Sequence, residues 1–185
     1  MTIKQFNATY LAQDDRLLFR FNTAEDTEFR FWLTRRVTLF ILAATSHLLV
    51  KSLEKSHSPE AAKAIAEFSK DAVQVENGIQ GVSQPDLYQP ANKYPLGADP
   101  ILVLDVKCSL EKQGEEDLLS LDLVFPGGSN INLRMTGPLL QAMCLLLNQL
   151  REHATWGEVP QVQEVAATTE ELEKVEDKIQ KPLMH

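Results

Sequence analysis

Two stretches of the chain carry the same pattern of strands and helix at a constant spacing of 102 residues. In each stretch, two runs of alternating apolar and polar residues precede a run with helical periodicity. No gap is needed to align them. The matched positions are Leu17 and Leu119, Phe19 and Leu121, Phe21 and Leu123, Phe29 and Ile131, Phe31 and Leu133, Leu33 and Met135, Thr34 and Thr136, Val37 and Leu139, Ile41 and Met143, Ala44 and Leu146, and Leu48 and Leu150. The sequence therefore predicts two strand–strand–helix units of shared architecture.

Local signals extend each unit. Residues 6–11 end at the polar turn Gln13-Asp14-Asp15 and predict an earlier strand in the first unit, and residues 101–110 predict its counterpart in the second. Thr34 is predicted to cap the helix that begins near Val37, because a hydroxyl oxygen can accept from the free N–H groups of the first turn. Both unit helices are apolar around most of their circumference, so each is expected to be covered on two sides.

The connection between the units begins with Ser58-Pro59-Glu60, which is typical of a helix start. This middle helix is predicted to run through Phe68 towards Val75 and to close at Asn77-Gly78. The following stretch to Pro100 is rich in proline and contains Tyr88 and Tyr94. We interpret it as an ordered segment that lies over the body.

These elements predict an α+β fold. Residues 1–157 are expected to form one domain made of two pseudo-repeated sheet–helix units, about 5–56 and 101–154, joined by the middle helix and the proline-rich loop. The apolar helix surface can be covered by copy packing on copy about a pseudo-twofold axis, or by a homodimer. The long connection favours the internal pairing and hence a monomer.

Residues 158–185 form an acidic tail, in which seven carboxylates accompany three lysines. Thr168 and Glu171 match a capping box. Leu172, Val175 and Ile179 mark one face of a short helix that is marginal alone and is expected to fold only against its own body or another chain. We predict these three residues as a partner-binding face.

The composition excludes several classes of protein. A formal net charge of −8 argues against binding polyphosphate over the whole surface. The charge-free run from Val37 to Val50 is shorter than the roughly 20 residues that span a bilayer, so no membrane anchor is expected. The first five residues do not match a secretory signal. Cys108 and Cys144 lie in apolar runs and are interpreted as buried thiols in a cytoplasmic protein.

Signals for enzymatic chemistry are weak. The four histidines have no ligand spacing with one another or with the cysteines, so we predict no metal site and no cofactor. The glycine-rich stretch 126–130 joins two strands, whereas a phosphate-binding loop leads from a strand into a helix. Carboxylates are scattered over turns and tail rather than paired in apolar surroundings. The sequence predicts a protein that is not an enzyme.

One surface suggests ligand binding. Alternation places several arginines and a tryptophan on the outward face of the first hairpin and at its junction with the helix, an arrangement suited to stacking unpaired bases and holding phosphates. The same pattern is also typical of a solvated face, because five acidic residues nearby can neutralise it. The candidate residues are Arg16, Arg20, Arg30, Trp32, Arg35 and Arg36.

In strand order alone, two successive sheet-then-helix units resemble the pseudo-dimeric arrangement of PUR-type single-strand nucleic-acid-binding proteins. The likeness is topological, and no residue is carried over from it. Acidity, the absence of a catalytic constellation and the conditional tail helix favour a non-enzymatic cytoplasmic interaction protein, such as an adaptor, assembly factor or accessory subunit, with a protein as its partner. The alternative is a single-stranded nucleic-acid-binding protein that uses the Arg/Trp face.

Overall fold

A computed structural model describes residues 2–68, 88–113 and 116–160. The fold is α+β, as predicted. The first sheet contains strands β1 (Ile3–Leu11), β2 (Arg16–Thr23), β3 (Glu28–Thr34) and β4 (Ile101–Leu102) in that order. The second contains β5 (Asp105–Gln113), β6 (Glu116–Val124) and β7 (Asn130–Met135). All neighbouring strands are antiparallel except β3 and β4.

Three helices accompany the sheets. They are α1 (Arg35–Glu54), α2, described over 59–68, and α3 (Gly137–His153). The Thr34 hydroxyl accepts from the Val37 N–H at 3.3 Å, so the predicted cap is confirmed. The Ser58 hydroxyl accepts from the Ala61 N–H at 3.3 Å at the start of α2. Thr136 occupies the same place before α3, but its side chain makes no capping hydrogen bond.

Turn chemistry explains where the strands end. Asp15 and Asp26 adopt left-handed backbone conformations, with φ of 46° and 58°, in the β1–β2 and β2–β3 turns. Aspartate tolerates this region better than most residues. Gly127 and Gly128, with φ of 86° and 83°, turn the chain between β6 and β7. The glycine-rich stretch 126–130 is therefore a strand-to-strand turn.

The prediction of one continuous strand over 101–110 is wrong. Ile101 and Leu102 pair in parallel with β3 in the first sheet, while β5 belongs to the second. The Val103 N–H donates to the Trp32 carbonyl, and the Leu104 N–H donates to the Val124 carbonyl. The chain thus changes sheets within two residues, and this link connects the sheets edge to edge.

The two sequence halves share one hydrophobic core. The helix α1 packs on β5, and α3 packs on β1, so each helix contacts the first strand of the other half. The two helices also contact each other. Phe31 of β3 stacks on Phe125 after β6, with ring centroids 5.4 Å apart. The strand β5 begins and ends 102 residues after β1, and α3 begins 102 residues after α1.

By length and mean hydropathy alone, α1 could span a membrane, because it extends the run 37–50 to 20 residues, although its ends carry Arg35, Arg36, Lys51 and Glu54. The packing of α1 is instead that of a core helix. Val37, Ile41 and Leu42 are buried in the core that contains both sheets. Thr45 is also buried, and its hydroxyl donates to the Ile41 carbonyl at 2.7 Å, which satisfies the polar group within the helix. The contacts are those of a core helix.

Candidate functional site

The outward face of the first sheet brings together four of the predicted site residues. Pairing between β2 and β3 sets Arg20 opposite Arg30, Leu18 opposite Trp32, and Arg16 opposite Thr34. Because side chains alternate along a strand, Arg16, Arg20, Arg30 and Trp32 share one face, while the phenylalanines of the same strands enter the core.

The segment 88–100 lies over part of this face, and we call it the strap. The Arg20 guanidinium lies 4.5 Å from the centroid of the Tyr88 ring, and the Arg30 guanidinium lies 4.7 Å from that of Tyr94. Arg30 also donates to the Ala98 carbonyl at 3.0 Å. Both arginines are therefore engaged by tyrosines of their own chain in the way that a nucleobase would engage them.

Glu28 anchors the strap from beneath. It is fully buried, and its Oε1 accepts from Nε of Arg30 at 2.6 Å while its Oε2 accepts from the Ala91 N–H at 3.0 Å. The hydrogen bond that Arg30 donates to Glu28 raises the pKa of Arg30. One carboxylate thus links a sheet arginine to the strap backbone, which is a charge-assisted arrangement.

Tyr88 lies at the same junction. Burial, followed by the negative charge of Glu28, raises the pKa of its phenol well above the ordinary value. The Tyr88 hydroxyl is buried and has no hydrogen-bond partner among the described residues. The environment therefore keeps this phenol neutral.

Further hydrogen bonds fix the ends of the strap. The Asn22 amide donates to the Gln89 carbonyl at 2.7 Å, and the Asn92 amide donates to Oδ2 of Asp26 at 2.9 Å. The bonds from Asn92 lower the pKa of Asp26. The Glu28 N–H donates to the Lys93 carbonyl at 2.8 Å. The strap is thus held by backbone and side chains along its first half.

Beyond the strap, the described residues leave another part of the face partly exposed. We define the Trp32 surface as Arg16, Leu18, Trp32, Arg36, Leu102 and Leu104. The Arg16 guanidinium lies 5.6 Å from the Trp32 ring centroid, and strand pairing places Leu18 and Leu102 on either side of the indole. Leu104, two residues after Leu102, is 43% exposed. This surface combines apolar area with positive charge.

Arg35 and Arg36 extend the positive charge to the first turn of α1, where there is no acidic residue. Arg36 donates to the Leu104 carbonyl, which brings it to the border of the Trp32 surface. The positive end of a helix dipole ordinarily favours carboxylates. Two arginines there make this corner of the molecule more attractive to an anion.

The corresponding face of the second sheet is occupied by polar side chains that satisfy one another. The Asn132 amide donates to the Ser120 hydroxyl at 2.6 Å and to Oδ1 of Asp122 at 2.7 Å. Arg134 pairs with Glu111 at 3.2 Å. Because these side chains hydrogen-bond and pair with one another, they are less available to bind a charged ligand than the arginines of the Trp32 surface are.

Cys108 and Cys144 are thiols that are not joined by a disulfide, as predicted, but both are only partly buried, so the prediction of full burial is wrong. Burial, with a smaller contribution from Cys144, raises the pKa of Cys108 to about 12, so this thiol stays protonated and unreactive near neutral pH. Cys144 Sγ lies 3.3 Å from the Thr45 hydroxyl. Among residues 2–68, 88–113 and 116–160, no group of three or more His, Cys, Asp and Glu side chains could hold a metal ion.

Some components of the site were not predicted. The sequence pattern does not indicate that Glu28 is buried under the strap, or that Leu102 pairs beside Trp32, because both arrangements depend on contacts across more than 60 residues of chain. The predicted partner-binding residues Leu172, Val175 and Ile179 lie outside the described residues, as do the end of the middle helix and the strap's approach to Tyr88.

Comparisons with family models, with curated proteins and with solved structures found no significant match to this chain.

Proposed function

We propose that this chain is a non-enzymatic cytoplasmic interaction protein that binds an acidic segment of a partner protein on the Trp32 surface. The observation that carries the proposal is the combination of the half-buried Trp32 and Arg16 with the exposed Leu104, at one end of a sheet face whose other arginines contact the strap. Trp and Arg are enriched where protein interfaces gain most of their binding energy.

The chemistry of the partner follows from that of the surface. The indole and the two leucines supply apolar area, and Arg16 and Arg36 supply two guanidinium groups that can bind carboxylates in a bidentate manner. An acidic segment with apolar residues at helical spacing presents both kinds of group on one side. The two interacting charges lie at the rim of the surface, where they contribute more to association rate and selectivity than to affinity.

The covered arginines weigh against the nucleic-acid alternative. Tyr88 and Tyr94 take the stacking positions on Arg20 and Arg30, and Glu28 supplies the anion that a phosphate would supply. What remains for a single strand is one indole with Arg16, Arg35 and Arg36. This is a short track compared with the grooves that hold several nucleotides.

The proposal is tested by titration of the full chain with labelled peptides. The probes are an acidic peptide with leucines at i, i+3 and i+7, a peptide of the same composition with scrambled leucines, and single-stranded oligo-dT and oligo-U. We expect the acidic amphipathic peptide to bind, the scrambled peptide to bind more weakly, and Trp32→Ala to lower affinity about tenfold. Arg16→Gln combined with Arg36→Gln tests the same surface without altering the apolar packing.

Phe68→Ala is the matched control, because Phe68 is a strongly exposed aromatic residue on α2, outside the Trp32 surface. Equal losses with Trp32→Ala and Phe68→Ala would contradict the proposal, as would the absence of peptide binding. Oligonucleotide binding that falls steeply with salt and is lost in Trp32→Ala, without peptide binding, would replace the proposal with the nucleic-acid alternative.

A further inference from the structure

The C-terminal segment leaves the described body beside the positive corner of the molecule. Trp156 is buried, and its indole N–H donates to Oδ1 of Asp15 at 2.6 Å, so the chain after α3 is fixed against the β1–β2 turn. An ideal Cβ at Gly157 would lie 3.9 Å from a guanidinium nitrogen of Arg35. Gly157, three residues before the end of the described segment 116–160, therefore lies close to α1's first turn.

The sequence of residues 161–185 is complementary to the Trp32 surface. It carries six carboxylates and three lysines, whereas the surface and its border carry Arg16, Arg35 and Arg36. Its apolar residues Leu172, Val175 and Ile179 follow helical spacing with acidic neighbours. Carboxylates beside apolar residues at helical spacing are also the groups that we propose for the acidic partner segment.

The connection is long enough for the segment to reach the surface. Gly157 lies beside Arg35, and Arg35 is three residues from Trp32 along the chain, a span of at most about 11 Å. Leu172 is the twelfth residue after Pro160, and a stretch of this length spans up to about 40 Å when extended. Because the segment is tethered, it also acts at a high effective concentration.

We infer that residues 161–185 bind in cis to the Trp32 surface and compete there with the acidic partner segment. The inference rests on the proposed function and specifies its regulation. A partner must displace an intramolecular competitor, so its apparent affinity is lowered by the fraction of molecules in which the surface is occupied.

Fluorine NMR of the full chain labelled with 5-fluorotryptophan tests this directly, because the protein has two tryptophans. Trp32→Phe assigns the Trp32 resonance, and the buried Trp156 reports on the integrity of the fold. The test variant replaces Leu172, Val175 and Ile179 with Ser, and the control replaces Gln161, Gln163 and Gln180 with Ser. We expect the Trp32 resonance to move in the test variant and at high salt, and to stay unchanged in the control.

In the test variant, the acidic peptide should bind about tenfold more tightly than in the wild type. The Trp32 shift should not depend on protein concentration, because a tethered segment binds within its own molecule. A Trp32 resonance identical in wild type and test variant would overturn the inference, as would a shift that appears only on concentration, which indicates binding to a second copy.

The outcomes separate this inference from the proposed function. Peptide binding that shifts Trp32 without any effect of the tail substitutions would retain the proposed function and overturn the cis competitor. A tail-dependent Trp32 shift without peptide binding to the test variant would show that the tail is a structural part of the body, and both proposals would fall.

Discussion

At the residue scale, Glu28 has the most demanding environment in the described part of the chain. A fully buried carboxylate is costly to desolvate unless charged and hydrogen-bonding partners compensate. Arg30 and the Ala91 N–H supply these partners on the two oxygens. Arg30 is itself a quarter exposed, so water still solvates part of the pair. The anchoring of the strap therefore depends on this carboxylate.

We predict that Glu28→Gln lowers the free energy of unfolding by about 2–3 kcal/mol, because the amide leaves one of two buried donors without an acceptor and removes the charge that Arg30 faces. Urea unfolding of the variant measures the loss. Glu54→Gln, an exposed position on α1, is the control and should change stability by less than about 0.5 kcal/mol. Equal stabilities of Glu28→Gln and Glu54→Gln would contradict the anchoring role.

At the element scale, the described strap behaves as an added layer on the first sheet. The local signals that define β2, β3 and α1 are alternation, turn residues and a capping threonine, and all of them act over a few residues. This explains why those elements and the shared face of Arg20, Arg30 and Trp32 could be predicted. The strap contacts join residues more than 60 positions apart, and no local periodicity encodes such pairing.

The change from the first sheet to the second after Leu102 is likewise not encoded by any local pattern. Ile101 to Leu110 has the composition of one strand, and nothing in its pattern marks the break after Leu102. The break follows from competition between two partners, since Trp32 and Val124 bind consecutive backbone groups of the link. Composition predicts that a segment is extended, whereas neighbouring strands decide which sheet it joins.

We expect the free energy of unfolding to fall at alkaline pH because of Tyr88 in the strap. The pKa of the folded phenol lies above the ordinary value of 10, so this contribution to stability is present below pH 10 and is lost as the pH rises through 10 towards the folded pKa. We predict that Tyr88→Phe retains more of its neutral-pH stability at pH 11 than the wild type does. Chemical unfolding at pH 8 and pH 11 measures the difference.

At pH 8, Tyr88→Phe should be as stable as the wild type or more stable, because it removes a buried hydroxyl without a hydrogen-bond partner in the described structure. Tyr10→Phe is the contrasting variant at pH 8, since its hydroxyl donates to Asp15 at 3.1 Å and the substitution removes that hydrogen bond. A loss of stability on Tyr88→Phe at pH 8 would indicate that the hydroxyl hydrogen-bonds to Glu28, contrary to the geometry described here.

At the scale of the whole molecule, the two halves cover each other's helices. The helix α1 packs on β5 and α3 packs on β1, and the side chains of both halves meet in one core. Reciprocal packing explains how two helices apolar on more than one side are covered within one chain. It also explains why the open surface lies at one corner, around Trp32, instead of along a helix.

We propose that this arrangement makes the chain its own pseudo-dimer, so that a second molecule is not needed to complete the core. The apolar side chains of the core number more than twenty and come from both sheets and both unit helices, whereas the strongly exposed large apolar side chains of the described residues are Phe40, Phe68, Leu96 and Leu104. Such scattered side chains are normal on a monomer surface.

Light scattering across a concentration series from micromolar to submillimolar protein tests the internal pairing most directly. A mass that stays near 20.8 kDa at every concentration is the predicted result, because each half already covers the other's helix. A mass near twice that value at micromolar protein would contradict it, since the helices would then be covered by a second chain.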